Sequence, residues 1–398
     1  MHAAAFVYLD HAAATPLAPE VAAAMDEVRE AGFANPSSPH AAGRRAKRIL
    51  EDARERIVSA CAGDLGPGAR LVFTSGVTEA NRIALLGTTP GLRGRVLTSA
   101  RDHSSLAAAA RDLAARGWEV ATVPLAGDGT LALDAATSGP GAAVELLCMT
   151  LACGQSGAWE DVARTAAWHA AGTGRRVHVD AAQAFWSDAP AVFGLPPNLA
   201  ATVAFAPHKL GGPRGIGGLL VRPDVDLVPV VPGTQEAGLR GGTEAVALAV
   251  GFARAVELAA ADRAIATRRM AALRDRLEAR LVAAARAVGV DARVVSARAR
   301  RVPHIVTVAF PGLDRQAFVM AADLEGVGCA TGSACASGSS EPAPALVAQG
   351  LPAAAVAGAV RFSLGSSTSA DDVDDAADRL GRVLARMAPR PEARSIGG

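Results

Sequence analysis

The stretch Ala201-Thr-Val-Ala-Phe-Ala-Pro-His-Lys-Leu-Gly-Gly-Pro-Arg-Gly-Ile-Gly-Gly218 places Lys209 directly after an apolar run. The chain has one other lysine, Lys47, although lysine and arginine together number 40. Wherever a plain positive charge suffices, the sequence therefore uses arginine. A primary amine can lose its proton in a desolvated pocket and form a Schiff base, which a guanidinium cannot do. The pattern indicates that Lys209 is kept for amine chemistry; the simpler alternative is a lysine that happens to follow a strand.

Around this stretch, between about residues 50 and 260, short β-rich runs alternate with helical stretches rich in alanine and arginine. Such alternation is typical of a mainly parallel sheet wrapped by helices. The predicted strands are Arg70–Thr74, Arg95–Ser99, Glu119–Val123, Val144–Met149, Arg176–Val179, Thr202–Ala206 and Gly218–Val221. Ligands of α/β proteins bind where parallel strands end, so polar residues that follow these strands are candidate site residues.

Beyond Gly251 the pattern predicts a long helix from about Arg254 to Val288, with arginines on one side. This helix is expected to lead into a second unit. That unit is predicted to contain the strands Val302–Ala309 and Arg361–Leu364 and a closing helix near Ala370–Met387.

Length and composition exclude several classes of protein. At 398 residues the chain favours two domains, and a formal net charge of +1 argues against a nucleic-acid or membrane surface built on bulk charge. Arg44-Arg45-Ala-Lys-Arg48 is interpreted as the solvated face of a helix. The apolar stretch at the N-terminus is too short for a signal peptide and is followed too early by an acidic residue, Asp10. The sequence therefore predicts a cytoplasmic protein. The 5 cysteines show neither disulfide nor zinc spacing, so no metal is expected.

Three polar segments follow predicted strands. In Thr74-Ser-Gly-Val-Thr-Glu-Ala-Asn81 a strand ends and a helix begins, which suits a phosphate or serves as a plain helix cap. Asp180 either caps the next helix or is held for a partner such as a pyridinium nitrogen, which a carboxylate keeps protonated. His103 is either a structural residue or a group that stacks on a flat cofactor or moves protons.

Cysteine and arginine provide two further candidates. Cys335 lies in the small-residue run Gly328-Cys-Ala-Thr-Gly-Ser-Ala-Cys-Ala-Ser-Gly-Ser-Ser340, where a thiol is expected to be accessible. Cys61 and Cys148 fall in apolar surroundings and are expected to be inert. Arg361 is expected to open a strand, either as a surface charge or as a fork for a carboxylate.

Taken together, these residues resemble the pyridoxal-phosphate-dependent cysteine desulfurases of the class V aminotransferase group. The resemblance spans nearly the whole chain, from Tyr8-Leu-Asp-His-Ala-Ala-Ala-Thr-Pro16 through Ala34-Asn-Pro-Ser-Ser38 to Arg361-Phe-Ser-Leu-Gly365. Gly332-Ser-Ala-Cys-Ala-Ser337 is similar to the long, mobile cysteine loop of one branch, which includes the iron–sulfur and nitrogenase-type enzymes. The resemblance implies an α/β protein of fold type I, with a mainly parallel seven-stranded sheet in a large domain and a smaller α+β domain.

The resemblance also implies roles for individual residues. Asp180 would pair with the ring nitrogen, Gln183 with the ring hydroxyl, and His103 would stack on the ring. The residues it implies for binding pyridoxal 5'-phosphate are Val77, Thr78, His103, Asp180, Gln183, His208, Lys209 and, from a dimer mate, Thr243. Those it implies for the substrate are Arg361 and Ala13, and those for catalysis are Lys209, Cys335 and His103.

The chemistry implied by the resemblance is desulfuration of cysteine. Free cysteine would displace Lys209 from the cofactor, and the freed amine or His103 would remove the α-proton. The Cys335 thiolate would attack the substrate sulfur, alanine would leave, and a persulfide would remain for transfer. A mobile loop suits a thiol that must reach first the cofactor and then a partner.

Two positions depart from the family pattern. The family carries Asn-Asn-Glu-x-Gly beside the cofactor, where this chain has Ala152-Cys-Gly-Gln-Ser-Gly157, so Gly154 replaces the asparagine expected at the ring oxygen. Ala206 stands where a serine or threonine commonly helps to hold the phosphate. One neutral hydrogen bond contributes on the order of 1 kcal/mol, so weaker cofactor binding is expected. The space beside the ring, with Cys153 expected close to it, leaves a changed substrate or outcome open.

Two other functions stay open. One is a different pyridoxal-phosphate reaction, such as a C–S lyase, selenocysteine lyase or cysteine-conjugate enzyme; the other is a catalytically silent homologue that acts as a binding subunit. The expected partners are L-cysteine or a related amino acid, a sulfur-acceptor protein and a second copy of the chain in a homodimer. The predicted division is a large domain over 15–258, a small domain over 1–14 and 259–387, and a disordered tail over 388–398.

Overall fold

The computed structural model describes residues 6–88, 94–135, 145–189, 191–332 and 341–388. Cys335 and all but the first residue of the predicted tail lie outside these ranges. The description below concerns the residues within them.

Twelve strands and eleven helices form in the described residues. The strands are β1 Val7–Tyr8, β2 Arg70–Thr74, β3 Arg95–Ser99, β4 Glu119–Val123, β5 Glu145–Thr150, β6 Arg175–Asp180, β7 Ala200–Phe205, β8 Gly217–Val221, β9 Arg293–Val294, β10 Ile305–Ala309, β11 Val327–Gly328 and β12 Ala359–Ser363. The helices are α1 Pro19–Ala31, α2 Ala41–Cys61, α3 Val77–Gly87, α4 Ser104–Ala115, α5 Val162–Ala170, α6 Val246–Ala261, α7 Arg263–Ala287, α8 Arg315–Leu324, α9 Pro344–Ala348, α10 Ala353–Ala357 and α11 Ala370–Met387.

The main sheet has seven strands in the order β2-β8-β7-β6-β5-β3-β4. Only β8 runs antiparallel to its neighbours; the remaining pairs are parallel. The predicted mainly parallel seven-stranded sheet is therefore confirmed, with strand ends within two residues of the predicted ones. All six residues of β7 are buried, as expected for a central strand covered on both faces.

Two apolar clusters cover the faces of this sheet. One contains Phe205 and Phe252, whose ring centroids lie 5.2 Å apart, and the other contains Leu85 and Leu106 from α3 and α4. Because helices pack on both faces, the strand ends form the accessible edge that carries the candidate site.

A second, antiparallel sheet has the order β12-β10-β9 and is covered by α7, α8 and α11. Its cluster includes Phe310 and Phe318, which stack with centroids 5.2 Å apart. β1 pairs in parallel with β11, so the first described residues pack with the C-terminal part of the chain. The predicted domain boundaries at residues 14 and 258 stay a prediction.

The long helix predicted from Arg254 to Val288 is wrong, because the chain breaks at Asp262 with φ −107° and ψ 8°. α6 before the break packs with the cluster of the main sheet, and α7 begins against the same cluster with Ala266 and Met270. From Leu273 onward α7 packs with the cluster of the second sheet, so the chain passes from one core to the other after the break. The predicted closing helix Ala370–Met387 is confirmed, and Ser369 and Asp372 form a capping box at its start.

The predicted strand ends in the second sheet are also corrected. The strand predicted over Val302–Ala309 begins at Ile305, because Pro303 lacks an N–H for the ladder. The strand predicted to begin at Arg361 begins at Ala359, so Arg361 lies in its middle and is buried. Among the described residues, no helix is both long and apolar enough to cross a bilayer.

A fully buried ion pair braces the loops beside the site. Arg101 Nη1 donates to the Glu160 carboxylate at 2.6 Å and to the Gly129 carbonyl at 2.7 Å, and Nη2 donates to the Ala158 carbonyl at 2.9 Å. The Glu160 carboxylate also accepts from the Leu131 N–H at 3.1 Å. The pair thereby ties the loop after β3 to the loop after β5.

We predict that Arg101→Met lowers the free energy of unfolding by about 3–5 kcal/mol, because it leaves the Glu160 carboxylate buried without a counter-charge. The control is Arg29→Met, which removes an exposed pair with Asp26 and should change stability by less than about 1 kcal/mol. Urea unfolding followed by circular dichroism measures both. Equal losses in the two variants would contradict the bracing role.

Candidate active site

The candidate residues gather where the parallel strands of the main sheet end. Val77 and Thr78 follow β2, His103 follows β3, and Gly154 follows β5. Further along the edge come the residues that end or follow β6 and β7, which are Asp180, Gln183, His208 and Lys209. The structure thus brings residues that follow five strands to one edge of the sheet, and four of the five strands contribute polar side chains.

Asp180 is held by a buried amide that the sequence did not single out. Asn81 Nδ2 donates to Asp180 Oδ2 at 2.9 Å and to Ser105 Oγ at 3.0 Å. Its Oδ1 faces His178 Nε2 at 2.9 Å, and Thr202 Oγ1 lies 2.8 Å from the other ring nitrogen. Because Asn81 Oδ1 can only accept, His178 Nε2 must carry the proton. Asp180 Oδ1 also accepts from the Ala182 N–H at 3.0 Å, so both of its oxygens are fixed.

His103 is the N-cap residue of α4. Its Nδ1 therefore has a structural role. Nδ1 accepts from the Ser105 N–H at 3.2 Å and lies 2.8 Å from Ser105 Oγ. Partial burial of the ring and the Lys209 charge lower the pKa of His103, against the opposing effect of Asp180. A neutral ring whose Nδ1 accepts carries its proton on Nε2. The residue as a whole is exposed, so part of its ring surface is accessible.

Lys209 lies in a short 3₁₀ turn, Pro207–Lys209, directly after β7. Thr15 holds this turn, because its N–H and its Oγ1 both donate to the His208 carbonyl, at 2.8 and 2.9 Å. Burial, together with the charges of Lys209 and Arg214, lowers the pKa of His208 to about 4. The amine therefore stands beside a neutral imidazole on a backbone that is fixed from outside.

The N-terminus of α3 offers backbone N–H groups to an anion. Its first residue is Val77, Thr78 is exposed, and no side chain caps the preceding Gly76 within the described part of the chain. The Glu79 carboxylate in the same turn pairs with the Arg240 guanidinium, with 3.1 Å to Nε, and accepts from the Ser75 N–H at 2.5 Å. Free amides and the helix dipole suit a phosphate here. Thr243, three residues beyond Arg240, is exposed.

Arg361 reaches the site from β12 in the second sheet and is 3 % exposed. Nη1 donates to the Gly154 carbonyl at 2.9 Å and Nη2 to Asp10 Oδ1 at 2.7 Å. Its Nε is buried and has no partner in the described residues. The half-buried Ala13 lies in the turn after Asp10, to whose carbonyl its N–H donates at 3.0 Å. A guanidinium carries five N–H donors, so these two contacts leave further donors, Nε–H among them, for an anionic ligand.

Cys61, Cys148 and Cys329 do not supply an activated thiol. Burial raises the pKa of Cys61 and of Cys148, as expected for inert thiols. Burial and the Asp10 carboxylate raise the pKa of Cys329 to about 12. Cys153 packs in an apolar cluster with residues such as Leu346, and the space beside Gly154 is bordered by Gln183. Cys335 lies outside the described residues.

Several site residues escaped the sequence reasoning. Asn81 stood in the quoted helix start without a role, and His178 shares a strand face with Asp180 two residues later, a spacing that could have revealed it. His11, which follows β1, and His304, which precedes β10, are both buried, and His304 Nε2 lies 3.3 Å from Gln183 Oε1. No local pattern marks them.

Buried neutral histidines predict a protein that loses stability in acid. Burial lowers the pKa of His11, His178 and His208 to about 4 and that of His304 to about 3, from an ordinary value of 6.5. Between pH 4 and 6.5 the unfolded chain binds more protons, so stability falls as the pH drops through this window. Each histidine contributes a slope of up to about 1.4 kcal/mol per pH unit.

We therefore expect urea unfolding of the cofactor-free protein to require less denaturant at pH 5 than at pH 6.5. His178→Gln should make this dependence shallower by about one histidine's share. A dependence left unchanged by His178→Gln would show that this residue is not held neutral.

Comparisons with known proteins agree with this arrangement. The family model for class-V aminotransferases matches residues 7–375. An IscS-like cysteine desulfurase of Mycobacterium tuberculosis is 35% identical over 390 residues, covering 95% of this chain and 96% of the relative. A cysteine desulfurase of Bradyrhizobium diazoefficiens is 33% identical over 386 residues, covering 96% of this chain and 95% of the relative.

Solved structures show the same architecture. A NifS-like protein superposes with a TM-score of 0.84 at 25% identity, covering 96% of this chain and all of the other. DndA from Streptomyces lividans superposes with a TM-score of 0.69 at 32% identity, covering 89% of this chain and 99% of the other. The fold type I architecture implied by the resemblance is confirmed. The chain belongs to the class-V aminotransferase family, within its group of pyridoxal-phosphate-dependent cysteine desulfurases.

Proposed function

We propose that this chain converts L-cysteine to L-alanine and leaves the sulfur as a persulfide on Cys335. The observation that carries the proposal is that the charges of Lys209 and of the buried Asp180 carboxylate both act on His103, at one edge of the main sheet. Relatives named cysteine desulfurase match nearly the full chain. The same edge holds the cation, carboxylate and neutral imidazole that such a reaction needs.

The residues present fit pyridoxal 5'-phosphate, the cofactor of this family. The uncapped first turn of α3 suits the phosphate, and Asp180, with both oxygens fixed by donors, suits a protonated ring nitrogen. The accessible imidazole of His103 suits stacking on a flat ring. A Cβ on Gly217 would lie 2.7 Å from the Gly76 backbone, so the strand beside this turn has no room for a side chain.

When bound, the cofactor supplies an electron sink for the charge that forms at the substrate Cα. We propose that Lys209 holds it covalently and that Arg361 binds the substrate carboxylate through the N–H donors that its contacts with Gly154 and Asp10 leave over. Asp10 keeps the guanidinium oriented before substrate arrives. Val77, Thr78, His208 and a partner's Thr243 are proposed for the phosphate, Gln183 for the ring oxygen, and Ala13 for the substrate.

We assign the removal of the proton from the substrate Cα to Lys209 Nζ. His103 is the alternative, but Nδ1 of its neutral ring already accepts from Ser105 and its Nε2 carries the proton. A base needs a free lone pair, whereas the amine of Lys209 has one once it is deprotonated. His103 then serves mainly to cover the ring.

Sulfur transfer requires a thiolate. Cys335 Sγ attacks the substrate sulfur, so an S–S bond forms while the C–S bond breaks. The electron pair of the C–S bond passes to the substrate carbon, which takes up a proton and leaves as alanine. Cys329 is a poor substitute, because a thiol with a pKa of about 12 stays protonated.

Partners and location belong to the same proposal. A sulfur-acceptor protein would remove the persulfide, and a homodimer would bring Thr243 to the neighbouring site. The cytoplasmic location and the domain boundaries are likewise proposals. A C–S lyase, selenocysteine lyase or cysteine-conjugate enzyme remains the alternative, favoured by the departure at Gly154.

The two lysines provide a matched test of cofactor attachment. After reconstitution and borohydride reduction, peptide mass spectrometry should find the cofactor on Lys209. Lys209→Ala should lose the adduct and the visible absorbance, whereas Lys47→Ala, which changes an exposed residue of α2, should keep both. An adduct on another residue, or absorbance retained without Lys209, would overturn the assignment.

The fate of sulfur separates the two candidate reactions. Incubation with cysteine should give alanine and one added sulfur on the Cys335 peptide, and Cys335→Ser should lower alanine formation by about 100-fold or more, because the nucleophile is lost. Cys329→Ser is the control and should retain activity. Pyruvate and ammonia instead of alanine, undiminished in Cys335→Ser, would favour a lyase.

A further inference from the structure

The amide of Gln183 has one defined orientation. Nε2 lies 2.8 Å from the carbonyl oxygen of Ala12, which can only accept, so the nitrogen must face it. Oε1 then faces His304 Nε2 at 3.3 Å. Gln183 is 8 % exposed, so these contacts are shielded from water. One N–H of the amide is left over after the bond to Ala12.

The orientation of Gln183 determines the tautomer of His304. Since Gln183 Oε1 can only accept, His304 Nε2 must carry the proton. Burial, followed by the charges of Lys209, His11, Arg274 and Arg361, lowers the pKa of His304 to about 3, so the ring is neutral. Its Nδ1 is then a lone pair, buried and without a partner in the described residues.

His304 and Ala12 are both held by the second sheet. The Leu364 N–H donates to the His304 carbonyl at 2.8 Å, and the Ala12 N–H donates to Ser363 Oγ at 2.9 Å. Gln183 itself follows β6 in the main sheet. The amide is therefore fixed at both ends by residues anchored on the end of β12, although it belongs to the other sheet.

Gly154 lies beside this amide. A Cβ there would lie 3.4 Å from Gln183 Nε2 and 3.7 Å from its Cγ, both ordinary contacts. An asparagine at this position, as in the family pattern, would place a second amide next to that of Gln183. With glycine at position 154, no second amide is present, and the Gln183 amide is supported at its Oε1 by His304 Nε2.

We propose that His304 is a positioning residue that fixes the Gln183 amide, so that its remaining N–H serves the ring oxygen of the bound cofactor in place of the asparagine absent at Gly154. The inference rests on the proposed role of Gln183. It assigns to His304 no contact with the cofactor and no proton transfer. His304 acts through the amide alone.

Three variants test the proposal in the reconstituted protein. His304→Leu removes the donor, His304→Gln keeps an N–H donor, and Gly154→Asn adds a second amide. The first readout is the pKa of the Lys209–cofactor linkage, taken from the pH dependence of its visible absorbance. The second is the dissociation constant of the cofactor.

His304→Leu should raise the spectroscopic pKa by about 0.5 unit or more, because a donor to the ring oxygen stabilises the form in which that oxygen is negative. The cofactor should bind about five-fold more weakly, the effect of one neutral hydrogen bond. His304→Gln should stay near the wild type. Gly154→Asn added to His304→Leu should restore most of both values.

A structural role alone predicts a different result. In that case His304→Leu would lower the unfolding temperature of the cofactor-free protein and leave the spectroscopic pKa unchanged, which would overturn the proposal. Failure of Gly154→Asn to restore the pKa would count against it as well. The absorbance can be titrated even if cysteine is not desulfurated, so failure of the proposed reaction is distinguishable.

The tautomer can be checked without the cofactor. Selective ¹⁵N labelling of histidine, with His304→Gln to assign the signal, should show a neutral ring protonated on Nε2 between pH 6 and 8. A charged ring or an Nδ1–H tautomer would overturn the inference, because Gln183 could not then be held as described.

Discussion

The candidate site depends on one buried amide. Asn81 uses both of its N–H groups and its oxygen, and so fixes Asp180, Ser105 and His178 relative to one another. Through Ser105 the same network reaches His103. A carboxylate meant to face a cationic ring must not rotate, and a buried polar network with every member satisfied provides that rigidity. The rest of the edge is arranged around this point.

The other half of the site comes from a different core. Arg361, His304 and Asp10 are anchored on or beside the second sheet, and they meet the main sheet at Gly154 and Gln183. The break at Asp262 separates the helices of the two cores. Groups proposed for the cofactor thus lie mostly on one sheet, while those proposed for the substrate lie on the other. The contacts at Gly154 and Gln183 determine how the two sets are aligned.

Sequence reasoning succeeded where the signal is local. The seven strands follow from short apolar runs, and Lys209 follows from its position after one of them in a chain that otherwise uses arginine. The helix break at Asp262 was missed because both flanking segments have high helix propensity, and only the positions of the two cores require the turn. Asn81 and His304 were missed because their partners lie about a hundred residues away. Arg101 gave no sign of burial because its partner Glu160 lies 59 residues further along the chain.

The neutral histidines have a consequence for how ligands enter. Four imidazoles in or behind the candidate site carry no charge, so the positive potential of the site comes from Lys209 and from arginines such as Arg361. Phosphate and carboxylate groups are therefore attracted by fixed charges, without protons being taken up by the imidazoles. The electrostatic attraction for anions is built into the folded chain and does not fluctuate with modest changes in cellular acidity.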